Sequence, residues 1–287
     1  MNKTKHNPLI SVIMSTYDEP YPVIERSINS IFNQSHPNLE LIICIDNPSN
    51  LAAKEGLKAL HLEQSKKIKL IINEQNIGLG FSLNKCIDES SGEFIARMDA
   101  DDICPPDRLS KQLQFIMHLP ENSVCFTQVE MINSAGGKIK RSFPSDASFE
   151  KHFFTHDAFT HATLFTRKNI ISKYKYAISH SPEDYDMYFR MFADGCKFHL
   201  QNEYLYEYHF DLKSNWRSLA ERRKRTQKTS SIMIRLLNKN FFSLLRCHGF
   251  KRSYARYFLM YLASSTNILY SISRIVYGLV RKSPLNQ

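Results

Sequence analysis

The first 120 residues repeat one pattern: a short apolar run, a polar break, then a segment with apolar residues at helical spacing. The apolar runs fall at residues 9–14, 39–45, 68–72 and 94–98, and the helical segments between them at 23–32, 51–62 and 80–90. Asn50 stands where the second helix needs a cap. Short, largely apolar runs of this length read as buried strands, and strands separated by helices pair in parallel. The pattern therefore predicts an α/β fold with a mostly parallel, Rossmann-like sheet and helices on both faces. Pro105-Pro106 is read as opening a further helix that runs to about residue 118. Beyond it the pattern is mixed, with strands expected at 123–132, 162–165 and 204–208 and a helix at 182–193.

Charge divides the chain. Residues 217–287 hold 15 of the 38 Lys and Arg against one acid, Glu221, which leaves 23 basic and 27 acidic residues in 1–216. The expected organisation is a mildly acidic globular domain over 1–216 and a basic, amphipathic helical region over 217–287. Residues 257–273 carry no formal charge, but 17 residues interrupted by Asn267 and serines are at the short limit for a membrane span. Helices lying on an anionic membrane surface fit better, with a solvated helical appendage or a dimer contact as the alternative. No signal-type apolar h-region follows the polar first seven residues, so the expectation is a cytoplasmic protein, peripheral on the inner face of the membrane. The six cysteines form no C-x-x-C and sit mostly among apolar residues, as buried reduced thiols do. Nucleic-acid binding is not expected, because no nucleic-acid module is present.

In open α/β sheets ligands bind beyond the carboxyl ends of the strands. Three of the expected strands end there in polar residues: Ser15-Thr16-Tyr17-Asp18, Asp46-Asn47 and Asp99-Ala100-Asp101-Asp102. Three carboxylates within four residues repel one another unless a cation neutralises them, and a hard divalent ion shared with a diphosphate does this well. The plainer reading is a turn in which Asp102 caps the next helix. Acids at Glu183-Asp184-Tyr185-Asp186 suit a first helical turn, and Asp186 and Arg190 are spaced as an i,i+4 pair. Arg97 is read either as a phosphate contact or as a partner for an Asp.

The run Phe94-Ile95-Ala96-Arg97-Met98-Asp99-Ala100-Asp101-Asp102 resembles the nucleotide-sugar and metal motif of family 2 glycosyltransferases, inverting enzymes with a GT-A fold. The resemblance covers about residues 8–210. It takes in Ser11-Val12-Ile13-Met14-Ser15-Thr16-Tyr17, Asn76-Ile77-Gly78, His161 with Phe165-Thr166-Arg167, and Glu183-Asp184-Tyr185-Asp186. It implies that Ser15 and Tyr17 line the base pocket, that Asp46 meets the uracil imide, and that Asn76, Arg97 and Asp99 lie along the donor. It also implies that Asp101 holds a divalent metal (Mn²⁺ or Mg²⁺) and that Asp184 is the general base. His209 stands where the family often has Arg, and is read as touching the diphosphate or completing the metal shell. His161 falls on the acceptor side. The donor would be a UDP-sugar and the acceptor a saccharide or lipid-linked saccharide of a bacterial capsule, lipopolysaccharide or exopolysaccharide. Three positions depart from the family: Asp18 stands where Asn is common, Ile45 where a second acid is common, and residues 176–182 replace the glycines that often precede the catalytic acid. A catalytically silent nucleotide-sugar-binding subunit is the competing reading, opposed by the intact Asp101 and Asp184. A nucleotidyltransferase is disfavoured because Ser15 to Glu19 contains no glycine for a phosphate loop.

Overall fold

The computed structural model describes residues 7–64, 67–143, 159–177 and 183–210. The basic region expected at 217–287, its membrane contact and Cys247 all lie outside the described residues. The alternation predicted for the first half is present as β1 Ile10–Thr16, α1 Tyr21–Phe32, β2 Leu39–Ile45, α2 Leu51–Glu63, β3 Ile68–Ile72, α3 Leu79–Glu89, β4 Phe94–Arg97 and α4 Arg108–Met117. Then follow β5 Ser123–Asn133, β6 Lys138–Arg141, a 3₁₀ turn His161–Thr163, β7 Phe165–Arg167, α5 Lys168–Tyr174, α6 Glu183–Ala193 and β8 Lys197–Phe210. The Asn50 side chain caps α2 as expected, accepting from the Ala53 N–H at 3.3 Å.

The described strands form one sheet in the order β3-β2-β1-β4-β7-β5-β6, with β8 along the other edge of β5. The pairs β1–β2, β1–β4, β2–β3 and β5–β8 are parallel, whereas β4–β7, β5–β7 and β5–β6 are antiparallel. The central strands β1, β2 and β4 are buried almost throughout. This explains their lack of alternation: each needs apolar side chains toward both covering layers. On the far side, Phe126 of β5 stacks on Phe159 at 3.9 Å and meets Tyr188 of α6 edge-on at 5.4 Å, which seats α6 against the sheet.

Two expectations need correction. The helix placed at Pro105-Pro106 begins at Arg108. The Pro105 carbonyl accepts from Gln34 Nε2 at 2.7 Å and the Pro106 carbonyl from the Ser35 N–H at 2.7 Å, so the prolines are held as a separate turn on the end of α1. The strand expected at 162–165 is instead a 3₁₀ turn followed by β7. The Ala162 and Thr163 carbonyls accept from Arg108 Nη2 (3.0 Å) and Gln112 Nε2 (2.9 Å) of α4, which diverts them from any ladder. The hairpin strand β6 was not foreseen; its residues are all exposed, so it carries no buried face to mark it. The described cysteines Cys44, Cys86, Cys104, Cys125 and Cys196 are free and buried, as anticipated.

Gly92, between α3 and β4, lies against the start of β1. A Cβ there would meet Ser11 Oγ at 2.6 Å and the Leu9 carbonyl oxygen at 2.7 Å. The Gly92 N–H donates to Ser11 Oγ at 2.8 Å, and Ser11 in turn donates to buried Glu40 at 2.7 Å. Backbone cannot retreat from such a contact as a flexible side chain can. Gly92→Ala is therefore expected to destabilise the protein by about 1–3 kcal/mol, measured as the shift in urea midpoint at unchanged m-value. A midpoint equal to that of the wild type would show that the approach of β1 to β4 is softer than the contacts imply.

Candidate active site

Pairing of Thr16 with Ile45 and of Ile45 with Ile72 brings the carboxyl ends of β1, β2 and β3 level. Asp46, just past β2, is 3% exposed. Its Oδ1 accepts from Asn73 Nδ2 and from the Ile77 N–H, each at 2.9 Å, and its Oδ2 from the Gly78 N–H at 2.9 Å. The Gly78 N–H is shared with Asn76 Oδ1, also at 2.9 Å. This turn leads into α3 with Gly78 at φ 90°, a conformation that excludes side chains with a Cβ. A carboxylate has about four acceptor positions, so Asp46 keeps one beyond the three it spends on the turn. Beside it, Glu19 Oε2 accepts from Thr16 Oγ1 and from the Tyr17 N–H, both at 2.7 Å. The Tyr17 side chain is left on the surface, 43% exposed, next to half-buried Ser15.

The acidic turn follows β4. Oxygens of Asp99, Asp101 and Asp102 come within 4.8 Å of one another, but the three groups are used differently. Asp99 is gripped by both terminal nitrogens of buried Arg97, one of them at 2.7 Å. Asp102 is fully buried; its Oδ2 accepts from the Tyr206 hydroxyl at 2.7 Å and its Oδ1 from the His209 N–H at 2.7 Å. From the α1 side, Ser27 Oγ donates to the Asp99 carbonyl (3.0 Å) and Arg26 Nη2 to the Asp101 carbonyl (3.2 Å). Burial, then the Asp99 charge, raises the Asp101 carboxyl to about 6. The same causes push Asp102 well above the usual carboxylate range.

The residues fit a divalent cation. Among the described residues, no side chain forms an ion pair with Asp101. His209 Nε2 is buried without a hydrogen-bond partner, and Glu207 Oε2 is too distant at 3.7 Å. Burial and the nearby Arg26 charge lower the His209 pKa, which keeps the imidazole neutral and able to ligate. The clustered donors are the carboxylate oxygens of Asp99, Asp101 and Asp102, a hard oxygen set that suits Mn²⁺ or Mg²⁺; the His209 ring is not among them and lies 3.7 Å from Glu207.

Asp184 opens α6, where its Oδ1 accepts from the Tyr185 N–H at 2.9 Å. The charges around Tyr176 show which groups share this region: Arg97, Glu183, Asp184 and Asp99 all act on its hydroxyl. That hydroxyl is 2.7 Å from His161 Nε2. Burial and then Arg97 push the His161 pKa well below normal, so the ring is neutral. Asp186 is buried and pairs with Arg190 at 2.9 Å, as its spacing suggests.

Residues 11–190 match the family described as Glycosyl transferase family 2. The chain belongs to this family. Among its relatives, an uncharacterized glycosyltransferase of Methanocaldococcus jannaschii is 35% identical over 222 residues, 76% of each chain. The O-antigen biosynthesis glycosyltransferase WbnJ of Escherichia coli is 31% identical over 73% of this chain and 83% of its own length. The fold resembles that of S. aureus TarS 1-349, solved in complex with UDP-GlcNAc, with a TM-score of 0.58 and 17% identity over 89% of this chain and 72% of that one. The protein is thus a glycosyltransferase with the mixed α/β architecture expected of a GT-A fold, and its relatives include polysaccharide-biosynthesis enzymes.

Several groups that shape this glycosyltransferase's site escaped the sequence reading. Glu19 and Thr16 have only an i,i+3 spacing to mark them, and Asn73 only its place at the end of β3. Tyr206 lies in an ordinary strand sequence, and its role depends on the distant Asp102. Glu183 was read as a helix-dipole acid, yet it is 6% exposed with Oε2 unpartnered. Burial first, and then the Asp184 charge, raises its carboxyl from the ordinary 4.5 to about 7. The folded chain therefore binds more protons than the unfolded chain between those values, and stability falls as pH rises through that window. Glu183→Gln should remove this loss: relative to the variant, the wild type is expected to lose on the order of 1–3 kcal/mol between pH 4.5 and 7.5. Urea unfolding across that range checks it, and parallel curves for the two proteins would refute it.

Proposed function

We propose that the enzyme transfers a hexose or N-acetylhexosamine from a UDP-sugar to a saccharide acceptor of a capsule, lipopolysaccharide or exopolysaccharide, by a single in-line displacement with inversion. One observation carries the reading. At the carboxyl edge of the sheet, oxygens of Asp99, Asp101 and Asp102 lie within 4.8 Å of one another, and Asp99 is tied to Arg97 and Asp102 to Tyr206 and the β8 backbone, which leaves Asp101 without an ion-pair partner among the described residues. The UDP-GlcNAc complex named for TarS, which shares the fold, supports a UDP-sugar donor. The O-antigen pathway named for WbnJ supports a glycan acceptor.

In this reading the exposed Tyr17 ring stacks on uracil, Ser15 lines the base pocket, and the remaining acceptor position of Asp46 meets the uracil imide. The Asn76-Ile77-Gly78 turn, shaped by Asp46, borders the donor. Asp101 and His209 would hold a divalent cation, which supplies Lewis-acid charge to the departing diphosphate. Arg97 holds Asp99 oriented toward the donor ribose or sugar. Asp184 takes the proton of the acceptor hydroxyl as that oxygen attacks the anomeric carbon. Neutral His161, bonded to Tyr176, borders the acceptor side. We assign residues 1–216 to this catalytic domain. Residues 217–287, with 15 basic residues and one acid, dock on the anionic inner membrane surface, where a lipid-linked acceptor would be found.

The test is binding and hydrolysis of a panel of nucleotide sugars, with Mn²⁺ and with EDTA. One UDP-sugar should bind in a metal-dependent way, and Asp101→Ala should abolish this. Asp184→Asn should bind that donor within about threefold of wild type yet transfer sugar about 10²–10⁴-fold more slowly. If folded wild type binds no sugar nucleotide, the catalytic reading fails in favour of a silent subunit.

A further inference from the structure

Arg108 is 1% exposed, among the largest fully buried side chains. Its donors go to neutral groups: Nε to Gln112 Oε1 (3.0 Å), Nη2 to the carbonyls of Arg97 (2.7 Å) and Ala162 (3.0 Å), and Nη1 to Met98 Sδ (3.2 Å). Its guanidinium also lies over the Tyr206 ring, 4.9 Å from the centroid. Tyr206 is itself completely buried. Its hydroxyl accepts from the Asp99 N–H at 3.1 Å and donates to Asp102 Oδ2 at 2.7 Å. A continuous path therefore runs from the first residue of α4, through the last carbonyl of β4 and the Tyr206 ring, to both ends of the acidic turn.

Burying an unpaired guanidinium is expensive, and an apolar side chain of similar volume often serves stability as well or better. What the arginine adds is direction. It fixes two carbonyls and an aromatic ring at once, with the geometry of a rigid fork. We propose that Tyr206, seated by Arg108, is a positioning residue for the acidic turn. Its hydroxyl sets the backbone at Asp99 and holds Asp102 as a strut, so that the Asp101 carboxylate is aimed outward at the cation. This rests on the metal reading above.

Mn²⁺ alone, added to the full chain without donor, separates the possibilities. Electron paramagnetic resonance reports both free Mn²⁺ and the spectrum of the bound ion, while thermal unfolding reports folding. Tyr206→Phe, which removes one oxygen, should unfold cooperatively, bind Mn²⁺ about 10- to 100-fold more weakly, and alter the bound-ion spectrum. Arg108→Lys should shift affinity in the same direction by less. A merely structural role would lower the melting temperature and leave both affinity and spectrum of the folded fraction unchanged. A folded Tyr206→Phe protein that binds Mn²⁺ within twofold of wild type overturns the proposal; should that variant not fold, the same result from folded Arg108→Lys does so. If the wild type takes up no Mn²⁺, the metal reading itself fails and this inference with it.

Discussion

Negative charge gathered in the turn after β4 is the constraint around which the site is arranged. Three carboxylates within 4.8 Å cannot all remain ionised and unpaired in a half-buried position. The fold answers two of them with side-chain or backbone partners and leaves the Asp101 carboxylate without an ion-pair partner among the described residues. Asp99 receives a guanidinium, Asp102 receives a hydroxyl and a backbone N–H, and α1 clamps the carbonyls of the same turn from the opposite side. The elements that do this are far apart in sequence, so the turn is also where α1, β4 and β8 are tied together. Charge management at the site and cohesion of the fold are here the same set of bonds.

The nucleotide end obeys a different logic. Asp46 builds the turn between β3 and α3 with three of its acceptor positions. A carboxylate that receives several donors is fixed in place. The second acid common in the family just before this position is Ile45 here, fully buried in the core. In this chain, a single carboxylate shapes the turn, and in the proposed function the same carboxylate faces the base pocket.

How far the sequence revealed this depended on range. The strands β1 to β4 and helices α1 to α3 were legible because burial on two faces and helical periodicity are local properties of the chain. So was the acidic turn, since three carboxylates at a strand end are conspicuous. What remained hidden were bonds between distant residues. Nothing near Tyr206 says that its hydroxyl meets a turn 104 residues earlier, and nothing near Arg108 separates it from a surface arginine at a helix start. The 3₁₀ turn at His161–Thr163 was read as strand because α4 side chains, not local propensity, claim its carbonyls. Asp101 stood out by its neighbours, but its lack of an ion-pair partner became visible only once the partners of Asp99 and Asp102 were known.

The irregular pairing of β8 with β5 has a consequence of its own. Between Gln201 and Glu207, β8 takes six steps while β5 takes three from Thr127 to Glu130. The surplus residues form bulges, which bend a strand and redirect its side chains. They also let β8 leave its register and bridge Ile103 through Glu207. The aim of the Tyr206 hydroxyl is thus set by how many residues lie between Gln201 and Glu207 more than by which residues they are. Chain length in one strand becomes a coordinate of the active centre, and a single insertion or deletion there would misdirect a site whose every named residue was still present.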